Sequence, residues 1–303
     1  MSLPDGYLSY DKRGYGQDMD RYAWRLLKDH TPKPWPGGEP VAAFIVIPVE
    51  WHPLNPSGKP FKHPGAMQTP YPDLRHFTVR DYGARVGAFR LLDALKASDA
   101  KATFPVSAAL LDRCAPLIEA IAEDGHEIAA AGLHTDAIHW GEIDPNLERG
   151  YVEETRAAFD KAGLTPTTWM SPARQQSRQT LDLIAQFGFD VCLDWESDQT
   201  PLRVQTEHGP VTLCGPHVEL EDRLLLVDRK QTEDLWRDQI LAAADLLKDE
   251  GARLGPRSFG FSVTPWLMGQ PFRIGSFAET VSALSGDKRV WLAPAGDIAK
   301  AAA

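Results

Sequence analysis

A carboxylate and an imidazole stand two residues apart at Glu50 and His52, with Trp51 between them, just after the apolar run 41–47. A Glu held beside an indole in an apolar pocket loses the hydration of its charged form. Its pKa then rises toward the range where it can take a proton from water. His134 closes a later apolar stretch, and His139 follows it five positions on. Glu50 is therefore read as a general base and His134 as its partner, acting as an acid or as a metal ligand. His52, His134 and His139, together with Glu50, form a candidate set for a metal site. The spacing from His134 to His139 is not that of one helix face, so this set depends on how a loop folds. The competing reading is a surface Glu beside a packing Trp, with loop histidines solvated or hydrogen-bonded.

Other polar groups fall where strand patterns end. Arg174 has a planar fork suited to a substrate carbonyl or carboxylate, with a surface ion pair as the alternative. Asp194, in Asp194-Trp195-Glu196, and His217, in Pro216-His217-Val218-Glu219, are read as pocket-lining, against a helix cap and an exposed imidazole. Trp51 and Trp266 would wall a pocket for a ring-shaped substrate, although most tryptophans serve a core. Ser171 lacks the Gly-x-Ser-x-Gly elbow of a nucleophilic serine and is set aside.

These residues need a frame. The run 41–47 is apolar throughout, as expected of a strand covered on both faces. Helical spacing over 86–97 (Val86, Phe89, Leu92, Leu95) precedes a strand at 102–106. Helices over 108–123, 147–162 and 177–187 alternate with strands at 126–131, 167–170 and 190–193. A hairpin at 202–214, a helix over 232–249, a strand at 258–263, a helix over 276–285 and a strand at 290–292 complete the chain. Such alternation predicts an α/β fold, a distorted (β/α) barrel of about seven parallel strands. In such barrels the chemistry lies where strands end and loops begin. Residues 1–40, rich in Tyr, Gly, Pro and Trp, read as an arm packing on a single domain over 41–303, with one short amphipathic turn around Tyr22–Leu27. Residues 51–80 read as a loop. At about thirty residues it is too long for a mere connection and should border a site. The last residues, Ala301-Ala302-Ala303, read as a frayed tail.

Composition narrows the function classes. The 303 residues are 43% hydrophobic and 24% charged, with a formal net charge of −10. That balance supports a full core and argues against nucleic acid as a partner. No apolar run approaches the ~18 residues of a membrane span. The N-terminus shows no secretory pattern, and Cys114, Cys192 and Cys214 are scattered in apolar surroundings. A cytoplasmic protein acting on a small molecule is expected.

Gly125-His126-Glu127-Ile128-Ala129, with Arg80-Asp81-Tyr82-Gly83-Ala84-Arg85-Val86-Gly87, Gly269-Gln270-Pro271 and Arg289-Val290-Trp291-Leu292-Ala293, resembles the polysaccharide deacetylase (NodB-homology) superfamily. Within it the match is nearest the allantoinase/cyclic-imidase-like branch, and it spans residues 36 to 299. The resemblance implies a NodB-type barrel and hydrolysis of non-peptide carbon–nitrogen bonds. In metal-using members an Asp and two His hold a divalent ion, a second carboxylate takes the proton from water, and a late His protonates the leaving amine. Carried onto this chain, the acidic pair falls on Glu50 and Trp51, and the two imidazole ligands fall on Ala131 and Thr135. The Arg that steadies the base falls on Ala173, and the late His on Thr264. The resemblance thus leaves the base and removes the cage.

Three functions are compatible with this pattern. The first is metal-free hydrolysis of an amide, imide or ureide of a small cyclic or aromatic substrate, with Glu50 as base; it is favoured. The second is the same chemistry with one divalent metal, zinc or manganese, in the rebuilt site. The third is a catalytically inactive barrel that binds a small ligand or joins an assembly; a lyase would leave the same trace. The branch implies a homo-oligomer, a dimer or tetramer.

Overall fold

The computed structural model describes residues 21–22, 26, 32–57 and 72–303. Most of the expected arm, with its amphipathic turn, lies outside the described residues. Of that region, Trp35 is buried. Its indole N–H donates to the Arg257 carbonyl at 2.9 Å, and its ring lies 5.7 Å from that of Trp291.

Strand β1 (Val41–Val46) is buried at all six positions, because both its faces are covered. It pairs in parallel along its whole length with β8 (Arg257–Ser262). Its other edge takes β9 (Val290–Leu292) at its start and β2 (Thr103–Val106) at its end. From β2 the sheet continues in parallel through β3 (Glu127–Ala130), β4 (Thr168–Trp169), β5 (Val191–Cys192) and β7 (Val211–Leu213). Strand β6 (Leu202–Val204) is antiparallel to β7 and ends the sheet. The far edge of β8 is met by irregular backbone: Ser258 N–H donates to Gln199 O and His217 N–H to Gly260 O. The strands are thus curled into a half-barrel, as the alternation of elements predicts.

Inward residues Ala42, Phe44 and Val46 pack with Ala131, Met170, Leu193 and Cys214, while Val41, Ala43 and Ile45 face the outer helices. The amino-terminal end of the barrel is closed by helix α9 (Ala295–Ala302). This corrects the expectation of a frayed tail: Ala301 and Ala302 belong to the helix and pack on the inner core beside Ile298 and Ala299. Glu127 holds the start of α9. Its carboxylate accepts from Gly296 N–H at 3.0 Å, from the Thr103 hydroxyl at 2.6 Å and from the Thr168 hydroxyl. A Cβ on Gly296 would strike that carboxylate. His126 beside it accepts from Ala102 N–H through Nδ1, and burial pulls its pKa down to about 4. The Gly-His-Glu-Ile-Ala segment therefore builds the floor of the barrel, at the end opposite its mouth.

Helix α1 (Leu74–Tyr82) occupies part of the stretch expected to be loop. It carries no apolar stripe, since its buried residue is His76, and so periodicity does not reveal it. It continues through a π-helical turn (Gly83–Gly87) into α2 (Ala88–Ala97). A Cβ on Gly87 would strike the Pro265 carbonyl, and one on Gly83 would lie 2.9 Å from Trp266 N. The two glycines of the Tyr-Gly-x-Arg-x-Gly segment thus permit backbone contact with α7 (Pro265–Met268). The helix expected over 108–123 is split. A 3₁₀ turn at Ala108–Leu110 precedes α3 (Ala115–Glu123), whose first turn holds Pro116. Helices α4 (Pro145–Lys161), α5 (Thr180–Gln186), α6 (Glu233–Leu254) and α8 (Ile274–Gly286) complete the outer layer. Among the described residues no helix is long and apolar enough to cross a membrane.

Candidate active site

The chain leaving β1 runs beside the end of β2: Val49 N–H donates to Pro105 O and Ser107 N–H to Val49 O. Glu50 is thereby carried to the mouth. Trp51 N–H then donates to the Ser107 hydroxyl at 3.1 Å. The loop after β3 crosses over this segment. Thr135 gives both its N–H (3.0 Å) and its hydroxyl (3.1 Å) to Trp51 O. With its hydrogen so placed, the Thr135 oxygen accepts from His52 Nδ1, 3.2 Å away. That assignment puts the ring proton on Nδ1 and the lone pair on Nε2, and Nε2 lies 3.9 Å from a Glu50 carboxylate oxygen.

Burial raises the Glu50 pKa, which Arg223 and Arg80 offset and Glu221 reinforces. Burial, Arg80, Arg223 and His76 all push His52 well below the usual histidine range. At neutral pH His52 is thus a neutral acceptor beside a carboxylate of heightened basicity. A water seated against both can donate to each, leaving its oxygen lone pairs toward the cavity.

That cavity, of about 200 Å³, is lined by Glu50, His52, Asp73, His76, Arg80 and Arg223, with Ala173 on its wall and Leu54, Pro56 and Ile138 on its apolar side. Asp73 caps α1, accepting from His76 N–H at 3.2 Å. One turn apart on α1, His76 and Arg80 meet: the guanidinium donates to His76 O at 3.2 Å and lies 2.8 Å from its Nδ1. Arg223 opens a π-helical turn (Arg223–Asp228) anchored next door. There the buried Asp222 accepts from Thr264 N–H (2.7 Å) and hydroxyl (2.9 Å), and burial pushes its pKa up to about 7. Thr264, standing where the resemblance expects the late His, is thus a tether for the arginine turn.

The other candidates go elsewhere. His134 does not line this cavity. Its Nδ1 accepts from Asp136 N–H, and the charges acting on it are those of Asp136, Arg113 and Glu154. The expected pairing of Glu50 with His134 is therefore not formed, because Thr135, the next residue, is the one bonded back to Trp51. His139 is fully buried against Glu148 at 2.9 Å and Trp169, within a core network that includes Ser177 and Thr180. Trp51 lies edge-on to Phe77 at 5.9 Å with the Arg113 guanidinium 4.9 Å above it, and Trp266 is buried, with the Arg80 guanidinium 5.8 Å from its ring. Trp51 lines a smaller cavity of about 20 Å³ that shares Glu50, His52 and Arg80 with the first, whereas Trp266 lines neither and backs Arg80. Arg174 binds Glu221 and the Asp194 carbonyl. Asp194 is buried, accepting from Ser171 N–H and Gln176. His217 pairs with Glu196 at 3.5 Å, and both line a separate cavity of about 20 Å³.

His76, Arg80 and Arg223 were not anticipated from the sequence. The i, i+4 spacing of His76 and Arg80 behind a capping Asp73 is a legible signal of a polar helix face. Nothing comparable marks Arg223.

Ala173 and Arg174 have φ of 55° and 53°, left-handed backbone that side chains disfavour. Ala173→Gly is expected to stabilise the protein by about 0.5–1 kcal/mol, read as a higher urea midpoint at unchanged slope. No change would place the strain elsewhere.

The positions where the resemblance expects metal ligands do not fit a divalent ion. Trp51 presents an indole packed on Phe77, Ala131 has no donor atom, and the Thr135 hydroxyl is committed to Trp51 O and His52. His52, His134 and His139 sit in three separate environments, and two guanidinium charges bear on the space a cation would share. Among the described residues no group of three or more His, Cys, Asp or Glu is gathered as a metal site.

Parallel strands curled into a half-barrel, with polar groups converging where they end, define the NodB-type class of (β/α) barrels. Residues 78–192 match the family model for polysaccharide deacetylase. No sequence among curated proteins matches it significantly. Similar solved structures include a Mycobacterium smegmatis protein described as a polysaccharide deacetylase (22% identity, 90% of this chain and 93% of that one, TM-score 0.76). A Pseudomonas aeruginosa PAO1 protein described in the same way shares 22% identity over 97% of each chain, with a TM-score of 0.75. Puue allantoinase shares 22% identity over 97% of this chain and 96% of that one, also with a TM-score of 0.75.

Proposed function

We propose that this protein hydrolyses a carbon–nitrogen bond in an amide, imide or ureide of a small substrate, with Glu50 as general base and no metal in the site. The observation that carries the proposal is the pairing of Glu50 with neutral His52 at the wall of a cavity that also presents two guanidinium groups. The fold shared with Puue allantoinase and the polysaccharide deacetylase match support the bond class. Water adds to the carbonyl carbon as Glu50 takes its proton, and Arg80 or Arg223 meets the charge growing on oxygen. The carbon–nitrogen bond then breaks, and Glu50 returns the proton to the leaving nitrogen. The products are a carboxylate and the released nitrogen group, an amine from an amide, an amide from an imide or a urea from a ureide.

The test is turnover of small amides, imides and ureides by chelator-treated protein, followed against pH. Activity should rise with pH as Glu50 ionises, along an acid limb above the ordinary carboxylate range. Because Arg223 lowers the Glu50 pKa, Arg223→Gln should move that limb to higher pH, whatever it does to the overall rate. Turnover lost to chelator and restored by zinc or manganese would overturn the proposal. So would an acid limb that Arg223→Gln leaves in place.

A further inference from the structure

We propose that Thr135 is a positioning residue whose hydroxyl fixes the tautomer of His52, so that the imidazole turns a lone pair, not an N–H, toward the water beside Glu50. The kinetic half of this assignment rests on the hydrolase reading; the hold of Thr135 on the ring does not.

A neutral imidazole carries one proton for two nitrogens, and the partner of one nitrogen decides the state of the other. For His52 that partner is the Thr135 hydroxyl, 3.2 Å from Nδ1. A hydroxyl has one hydrogen to place. Given to the Trp51 carbonyl, 3.1 Å away, it leaves an oxygen lone pair for Nδ1–H and a bare Nε2. Given to Nδ1, it forces the ring proton onto Nε2. Geometry favours the first arrangement. Thr135 N–H donates to the same carbonyl at 3.0 Å, so the main chain draws the side chain onto an oxygen that can accept twice. In the second arrangement Nε2–H would gain nothing from Glu50, whose nearer oxygen at 3.9 Å is beyond hydrogen-bond reach. That gap is filled by a water, and with Nε2 bare the water donates one hydrogen to Glu50 and the other to His52. An Nε2–H would instead compete for the lone pair that must attack the carbonyl.

The hydroxyl is separable from the fold of the loop. The segment 51–57 and the loop after β3 are tied by Thr135 N–H on Trp51 O, and by Asp136, which accepts from Ser57 N–H at 2.8 Å and from its hydroxyl at 2.9 Å. Trp51 N–H is held in turn by the buried Ser107 hydroxyl at 3.1 Å. None of these contacts uses the Thr135 hydroxyl. Thr135→Val, of nearly the same volume, should therefore keep the two segments in register while leaving Nδ1 without its partner.

Histidine-selective ¹⁵N NMR of the full chain at about pH 8, where an ordinary imidazole is neutral, reads which ring nitrogen bears the proton. The His52 signals are those lost in His52→Gln. Wild-type His52 should be protonated on Nδ1. Thr135→Val should move the proton to Nε2 or divide it between the two nitrogens. It should also lower kcat about tenfold or more with KM changed less than about threefold, as when an imidazole is left in the wrong tautomer. Thr135→Ser, which keeps the hydroxyl, should restore the Nδ1 pattern and most of the rate. Displacement of the loop alone would raise KM and leave the ring proton in place. Should Thr135→Val fail to fold, Thr135→Ala carries the same comparison. Wild-type His52 protonated on Nε2, or a tautomer unchanged in the Val or Ala variant, would overturn the assignment. Turnover of amides by a protein with that Nε2 proton sinks the role of Thr135 and leaves the hydrolase standing. The expected spectra without turnover of any amide uphold the hold of Thr135 on His52 and sink hydrolysis.

Discussion

Glu50→Gln should lower kcat by roughly 100- to 10,000-fold, the range a positioned general base supplies, while the protein stays folded and its stability at neutral pH rises. The two effects have one cause. Burial holds the Glu50 pKa above its ordinary value. The folded state therefore binds its proton more tightly than the unfolded chain does. Stability from that proton is complete below the unfolded pKa of 4.5 and is lost as pH rises through the folded value. Above it the ionised carboxylate is a liability to the fold and an asset to the reaction. Gln keeps the shape and removes both. Urea titration of the two proteins at pH 4 and pH 8 should show their stabilities diverging at the higher pH, alongside the kinetic loss. A variant retaining more than a tenth of wild-type kcat would remove Glu50 from the role of base.

Glu127→Ala should be the most damaging single change away from the mouth, at about 3–5 kcal/mol. One carboxylate there satisfies the Thr103 hydroxyl, the Thr168 hydroxyl and the Gly296 N–H that begins α9. Removing it orphans three buried donors, each costing about 1–3 kcal/mol, and leaves a void under the inner core. The Thr103 hydroxyl also accepts from Ala295 N–H, so the loss spreads to a second amide of the same helix. Thermal and urea unfolding check this directly. Glu127→Gln, which keeps the volume and one acceptor oxygen, should recover about half the loss. A Glu127→Ala protein within 1 kcal/mol of wild type would show that α9 is not anchored through this group.

The sequence reveals the strands of the barrel more readily than the partners of its site. Six apolar residues in a row place β1 at the centre, and a Glu just past its end has nowhere to go but the mouth. His134 and His52 were harder to tell apart. Both follow strands, and which imidazole meets Glu50 is settled by the turn of one loop, where Thr135 bonds back to Trp51. Local composition carries no trace of that choice. His76, Arg80 and Arg223 come from a helix without an apolar stripe and from a π-helical turn, so hydrophobic periodicity is blind to them. The Gly-His-Glu-Ile-Ala segment is recognisable as a family mark. Its polar side chains serve the barrel floor, because Glu127 begins β3 and strand length separates it from the mouth.

The π-helical turn between α1 and α2 has a consequence for how the pocket is built. One residue beyond the α-helical count rotates the helix ahead of the turn by about 100° relative to the helix behind it. Behind the turn, Leu91, Leu92 and Leu95 stay locked on the barrel; ahead of it, His76 and Arg80 swing into the cavity. Deleting one residue of the turn should therefore turn His76 and Arg80 away from the chamber while leaving the downstream contacts of the scaffold in place.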